Sequence, residues 1–207
     1  VATCMINYDL YPLFAVPVLK VNEKYNMPDN ERKLIEGLEW SDNTNNLISK
    51  NHNVLTTIDE LSGLRLYISK WLNFYTKEVM KIKDVEFYIT QSWFNVTRKT
   101  ESHHSHSHPN SVVSGVFHLD DDLSSITFER GHRSNFNLKL NYSEHTIQNC
   151  DEYNFSTDKN TLLLFPSKLP HKVKTNNESK DRYSMSFNTF VKGTMGDEHE
   201  SDLLYLT

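Results

Sequence analysis

Val85-Glu86-Phe87-Tyr88-Ile89-Thr90-Gln91-Ser92-Trp93-Phe94-Asn95-Val96 is where the chain changes period. β-Branched and aromatic residues crowd the stretch, and residues two apart fall on one face, as in a half-buried strand. Downstream, Ser111 to Leu119, Ile126 to Glu129, Phe136 to Tyr142, Thr161 to Phe165 and Arg182 to Val191 read as further strands, separated by Gly, Asn and Asp. Upstream the rhythm is helical. Pro28-Asp29-Asn30 opens a short helix carrying Leu34, Ile35 and Leu38, and the polar stretch Ser41 to Asn53 separates it from a stronger one. That second helix is opened by Thr57 and Glu60 in capping-box spacing, with Leu61, Leu64, Ile68, Trp71, Leu72, Tyr75 and Val79 on one stripe. The stripe reads as core packed against a sheet rather than as a partner surface. Leu10 to Val21 reads as an edge strand, because Pro12 and Pro17 cannot donate to a ladder. Helices first and strands afterwards predict an α+β, mainly β fold with an antiparallel sheet or barrel. The expected organisation is a single domain over 1–207: helical support at about 28–82, a barrel at about 85–192 and a short tail at 193–207.

Composition narrows the function. With 207 residues, 37% hydrophobic and 24% charged, the chain has the profile of an ordered globular protein. A net charge of −5 and the lack of any basic run disfavour generic nucleic-acid binding. Cys4 and Cys150 are too few for a disulfide framework and lack metal-ligand spacing, so a reducing cytoplasm is expected. No signal peptide or membrane span is read from the sequence. Whether Val1 to Cys4, ahead of Met5, is native is left open, as is a homodimer.

Four of the ten histidines fall within six positions, at His103, His104, His106 and His108. On a strand His106 and His108 would present both imidazoles to one point, a common metal clasp. The alternative is a His-rich loop that binds metal adventitiously. Thr161-Leu162-Leu163-Leu164-Phe165-Pro166 is a buried strand closed by proline, and Pro170-His171 follows a tight turn, where a jelly-roll barrel delivers its last ligand. In Arg182-Tyr183-Ser184-Met185-Ser186-Phe187-Asn188 the alternation puts Arg182, Ser184, Ser186 and Asn188 on one face. Such a face can simply meet water, but a guanidinium with a hydroxyl two positions on is also shaped to grip a carboxylate.

Together these residues resemble the phage and bacterial 2-oxoglutarate and iron(II)-dependent oxygenases, in a branch distantly similar to prolyl hydroxylases. The resemblance is carried by Leu13 to Val18, Trp93 to Val96, His106-Ser107-His108-Pro109-Asn110-Ser111 with Ser114-Gly115-Val116, Leu163 to Ser167 with His171, and Arg182 to Asn188. It implies a double-stranded β-helix of jelly-roll or cupin type with N-terminal supporting helices. It also implies Fe(II) on His106, His108 and His171, and 2-oxoglutarate held by Arg182 with help from Ser184, with Asn95 and Ser114 lining the co-substrate pocket. O2 and an unidentified primary substrate would complete the reaction, releasing succinate and CO2 and leaving a hydroxylated product. One departure stands out: the usual metal triad has a carboxylate where this chain has His108. His103, or one of Asp120, Asp121 and Asp122, is the alternative third ligand. His118 shares the parity of His106 and His108 and is read either as supporting the site or as packed core.

Three rival functions remain at this stage: a three-histidine cupin dioxygenase without 2-oxoglutarate, a non-catalytic cupin-type binding module, and a structural phage or surface protein. The location implied is the cytoplasm, including that of a phage-infected host.

Overall fold

The computed structural model describes residues 12–131 and 140–207, the side chains of 122–125 excepted. In chain order the strands are β1 (Leu19–Val21), β2 (Trp40–Asn43), β3 (Asn46–Ser49), β4 (Val85–Thr97), β5 (His103–His106) and β6 (Val113–His118). They continue as β7 (Asp122–Glu129), β8 (Glu152–Thr157), β9 (Thr161–Pro166), β10 (His171–Val173), β11 (Arg182–Met195) and β12 (Leu204–Leu206). Three α-helices, α1 (Asp29–Glu36), α2 (Val54–Thr57) and α3 (Ser62–Phe74), precede β4, and a π turn over Tyr75–Val79 extends the last.

The strands form two antiparallel sheets. The larger has the order β1-β9-β6-β11-β4-β3-β2, with β12 also on β11, and the smaller is β5-β10-β7-β8. From β4 to β11 the chain passes back and forth between the sheets, with only the β7–β8 pair staying within one, which is the jelly-roll pattern expected from the sequence. One face of the large sheet packs on the helices. Phe94, Phe117, Leu162, Leu164, Met185 and Phe187 meet Leu61, Leu64, Ile68, Leu72 and Tyr75 in one buried cluster. Each such side chain contributes about 2 kcal/mol by leaving water. Trp71, expected on that stripe, is partly buried, and Val79 at its far end is exposed. Between the sheets, Val116, Ile126, Phe128, Leu163 and Phe165 form a second, smaller cluster. Gly115 is required where the sheet meets the first core, since a Cβ there would stand 2.3 Å from the Phe187 ring.

Several expectations need correction. The polar stretch between the helices is a hairpin, β2–β3, whose outer pairing continues onto β4 through Leu47 opposite Val96 and Ile48 opposite Asn95. Its polar residues sit on the alternate face of a short strand, a pattern that polarity alone conceals. Thr57 does not cap the long helix. It ends the one-turn α2, where its hydroxyl donates to the Asn53 carbonyl and accepts from Asn51 Nδ2, and α3 starts at Ser62. The N-terminal strand is confined to β1, at the sheet edge on β9, and residues 12–18 stay outside it, with Phe14 at a positive φ. Most of the strand expected over Phe136 to Tyr142 lies outside the described residues, and 140–142 are not in a strand. The tail is more than a solvated end, because β12 pairs with Gly193, Thr194 and Met195.

Candidate active site

The two sheets enclose a cavity of about 660 Å³. Register decides what faces it. On β11, Ser184 lies opposite Asn95 of β4 and His118 of β6, Ser186 opposite Trp93 and Val116, and Asn188 opposite Gln91 and Ser114. The polar alternation of β11 thus runs down the inside of the barrel instead of meeting water. Arg182, Ser184, Ser186 and Asn188 all line the cavity, as do Asn95 and His118.

At one end stand His106, His108 and His171, with one ring nitrogen of each within 4.8 Å of the others. Strand pairing brings two of them together, since His171 of β10 lies opposite His106 of β5. His108 arrives differently. β5 ends at His106, so the expected strand clasp does not form, and His108 sits in the turn ahead of Pro109, its N–H donating to the Ser167 carbonyl. Its Nε2 is 3.3 Å from Nε2 of His171, and Trp93 stacks on its ring at 5.9 Å.

The hydrogen-bond partners fix the tautomers. Nδ1 of His106 faces the His104 carbonyl at 2.9 Å, Nδ1 of His171 faces the Leu169 carbonyl at 3.0 Å, and Nδ1 of His108 faces Asn188 Oδ1 at 2.5 Å. All three partners only accept, so each Nδ1 carries the proton and each Nε2 offers a bare lone pair. Burial holds the rings neutral: His171 is pushed down to about 3, while His106 and His108 are also lowered, the bond to Asn188 opposing the shift at His108. Two bare lone pairs 3.3 Å apart repel unless a cation joins them. Bonds of about 2.1 Å meeting near a right angle would place the nitrogens about 3 Å apart. The donor set therefore fits one divalent ion with affinity for imidazole, iron(II) included.

At the other end Arg182, 9% exposed, opens β11 opposite Thr97, with Nη2 donating to the Lys174 carbonyl at 3.2 Å. His118 is buried beside it, and its Nε2 has no hydrogen-bond partner. Burial first, then the charges of Arg182, Lys20 and Lys24, push this imidazole down to about 3. Among the described residues lining the cavity there is no carboxylate, and Arg182 is the one side chain with a fixed charge.

The alternative ligands are accounted for as follows. Asp120 is buried but engaged: it accepts from the Tyr183 N–H at 2.9 Å and pairs with Lys180 at 2.9 Å and Arg32 at 3.2 Å, which hold its carboxyl below the usual range. It pins the start of β11, and so Arg182, from outside the cavity. Asp121 accepts the Lys159 N–H, and the side chain of Asp122 lies outside the described residues. His103 lines the cavity with its ring centroid 4.4 Å from that of His106, yet stands outside the three-nitrogen group. Asn95 faces the cavity and donates to Ser186 Oγ at 3.2 Å. Ser114 stands one step behind the wall, fully buried, bonded to Ser167 Oγ and Asn188 Oδ1 at 2.8 Å each. Asn188 and Trp93 carry no evident role in the sequence; the signal for Asn188 is its parity with Arg182.

Residues 91–188 match the family model described as "Putative 2OG-Fe(II) oxygenase". That span, which holds the triad and Arg182, is similar to the 2OG-Fe(II) oxygenases. Solved structures agree on the fold. HygX from Streptomyces hygroscopicus, with nickel, 2-oxoglutarate and hygromycin B bound, superposes with a TM-score of 0.61 at 14% identity, covering 84% of this chain and 82% of that one. A prolyl-4-hydroxylase from Pseudomonas putida gives 0.52 at 12% identity, over 84% and 92%. AviO1 from Streptomyces viridochromogenes Tue57 gives 0.54 at 14%, over 84% and 89%. No curated protein sequence matches. No helix among the described residues is long and apolar enough to cross a membrane.

Proposed function

We propose that the chain hydroxylates a small organic substrate, with His106, His108 and His171 holding iron(II) and Arg182 gripping the distal carboxylate of 2-oxoglutarate. The observation that carries this reading is the convergence of three bare Nε2 lone pairs in a cavity where, among the described residues lining it, the fixed charge is a single guanidinium. When bound, iron(II) and 2-oxoglutarate supply oxygen activation coupled to decarboxylation, yielding succinate, CO2 and a hydroxylated product.

The chain's own part is binding and orientation. Three neutral imidazoles leave the site one unit more positive than a triad with a carboxylate would be, which favours a doubly negative co-substrate. Arg182 is anchored through Lys174 and through the Asp120 clamp on Tyr183, so its guanidinium is placed before the acid arrives. Ser184, two positions on and facing the same cavity, adds a hydroxyl donor, and Asn95 lies opposite it. The wall formed by the β2–β3 hairpin and β4 carries Asn43, Asn46, Thr90 and Gln91, uncharged groups that both donate and accept. We assign that wall to the primary substrate. A reducing cytoplasm suits an iron(II) site and the free thiol of Cys150.

Anaerobic titration with Fe(II) and then 2-oxoglutarate tests the reading. A metal-to-ligand charge-transfer band is expected with the wild type, and succinate on admitting O2. A band that forms equally in Arg182→Ala would remove Arg182 from the grip on the co-substrate, metal binding with no band in the wild type would favour a three-histidine dioxygenase that uses no 2-oxoglutarate, and no metal binding at all would leave a binding module.

A further inference from the structure

We infer that Asn188 makes His108 competent to hold metal, as a positioning residue that acts through His108; the inference rests on the triad reading above. The three imidazoles are oriented by different means. His106 and His171 each set Nδ1 against a main-chain carbonyl two residues away, an arrangement that travels with the local backbone. His108 lies beyond the end of β5, and its Nδ1 is met by a side chain eighty residues along the chain, on the central strand of the large sheet.

Asn188 is itself held so that its oxygen faces the ring. Its Nδ2 donates to Gln91 Oε1 at 3.1 Å, and its Oδ1 accepts from Ser114 Oγ at 2.8 Å as well as from His108. Ser114 is backed by Ser167 at 2.8 Å, which in turn meets Ser111 at 2.7 Å. The direction matters for chemistry. Were the amide turned over, its NH2 would face Nδ1 of His108, which would then have to accept; the proton would move to Nε2, and the nitrogen 3.3 Å from His171 Nε2 would have no lone pair to give. With Ser114 donating to Oδ1 and Gln91 accepting from Nδ2, the amide is held in the orientation in which His108 is a ligand. A neutral amide also leaves the imidazole neutral, whereas a carboxylate at the same place would raise its basicity and favour the imidazolium.

Cobalt(II) binding, followed by the visible bands of the bound ion in the full-length protein, tests this without reference to turnover. Asn188→Ala is expected to weaken Co(II) binding about 10–100-fold and to alter the bands at saturation, the usual size of losing a group that orients a ligand. Asn188→Asp, which keeps the acceptor, is expected to bind near wild-type strength. The double variant with His108→Ala is expected to bind no more weakly than His108→Ala alone, because Asn188 then has nothing to orient. Additive losses, or Asn188→Ala binding like the wild type while His108→Ala is weak, would overturn the positioning role. If His108→Ala itself binds as tightly as wild type, the triad reading falls and takes this inference with it.

Discussion

At one end of the cavity the imidazoles come from short pieces of the small sheet and the turn beyond it, whereas at the other a guanidinium opens the longest strand among the described residues. β5 has four residues and β10 three; β11 has fourteen and is paired on both sides, by β4 and β6. The metal end therefore rests on elements that add little to the main core, and its geometry is set by hydrogen bonds to Nδ1. The anchor end is part of the scaffold, set by register and by the Asp120 clamp. A residue at the first end should be separable from folding, and one at the second should act on co-substrate without touching metal.

The sharpest break between the two ends is His171→Ala. Activity and stoichiometric Fe(II) binding should fall below detection while the melting temperature of the metal-free protein stays within a few degrees of wild type. The truncation leaves the main core between large sheet and helices intact, and it removes a buried polar group that is held neutral. Circular dichroism and metal analysis of the purified variant check both halves. Substantial turnover by a well-folded His171→Ala would remove the histidine from the metal site.

Arg182→Ala probes the other end. Losing a charge-assisted grip on a carboxylate costs about 3 kcal/mol, roughly 100-fold in affinity for 2-oxoglutarate. Fe(II) binding in its absence should be unchanged, since the guanidinium is not among the groups that converge on the metal. Isothermal titration with each ligand in turn separates the effects, and equal losses in both would merge the two ends into one unit.

How much of this could be read in the sequence follows the same division. Long elements announced themselves: β4, β6, β9 and β11 each stand within a residue or two of the stretches whose period marked them at one or both ends, because many alternating positions average out local exceptions. Short ones did not. β5 and β10, of four and three residues, are set by pairing with one another and, for β10, with β7, and a strand such as His171–Val173 carries too few positions for any period to show. The hairpin β2–β3 was missed because its polar residues face a cavity that only the closed barrel creates. That His106, His108, His171 and Arg182 share one cavity was foreshadowed in the sequence because clustering and parity are local. Asn188 as the partner of His108 was not, since a contact across eighty residues depends on the crossing of two sheets. Ser114 was expected at the cavity wall and stands behind it because its hydroxyl is already shared between Ser167 and Asn188.

The smallest expected effect concerns His118, which belongs to the anchor end and to neither core role expected of it in full. Its imidazole is 4% exposed, has an unpartnered Nε2, and is pushed to about 3, so it is neutral in the folded protein at any ordinary pH. Unfolding frees it to take up a proton at its normal value of about 6.5. The folded pKa is depressed, so the stability it contributes is fully present above about pH 6.5 and drains away as pH falls toward about 3, at close to 1.4 kcal/mol per unit. By pH 5 that is about 2 kcal/mol. His118→Phe keeps the bulk, removes the orphaned nitrogen and cannot take up the proton. Chemical denaturation of metal-free protein at pH 7 and pH 5 should therefore show the variant losing about 2 kcal/mol less than wild type over the same interval. The imidazoles of the metal end, His171 above all, add their own acid sensitivity to both proteins and cancel in the difference. Equal losses in the two proteins would mean that His118 already finds a partner for its proton in the fold, and that the anchor end is less dry than its burial implies.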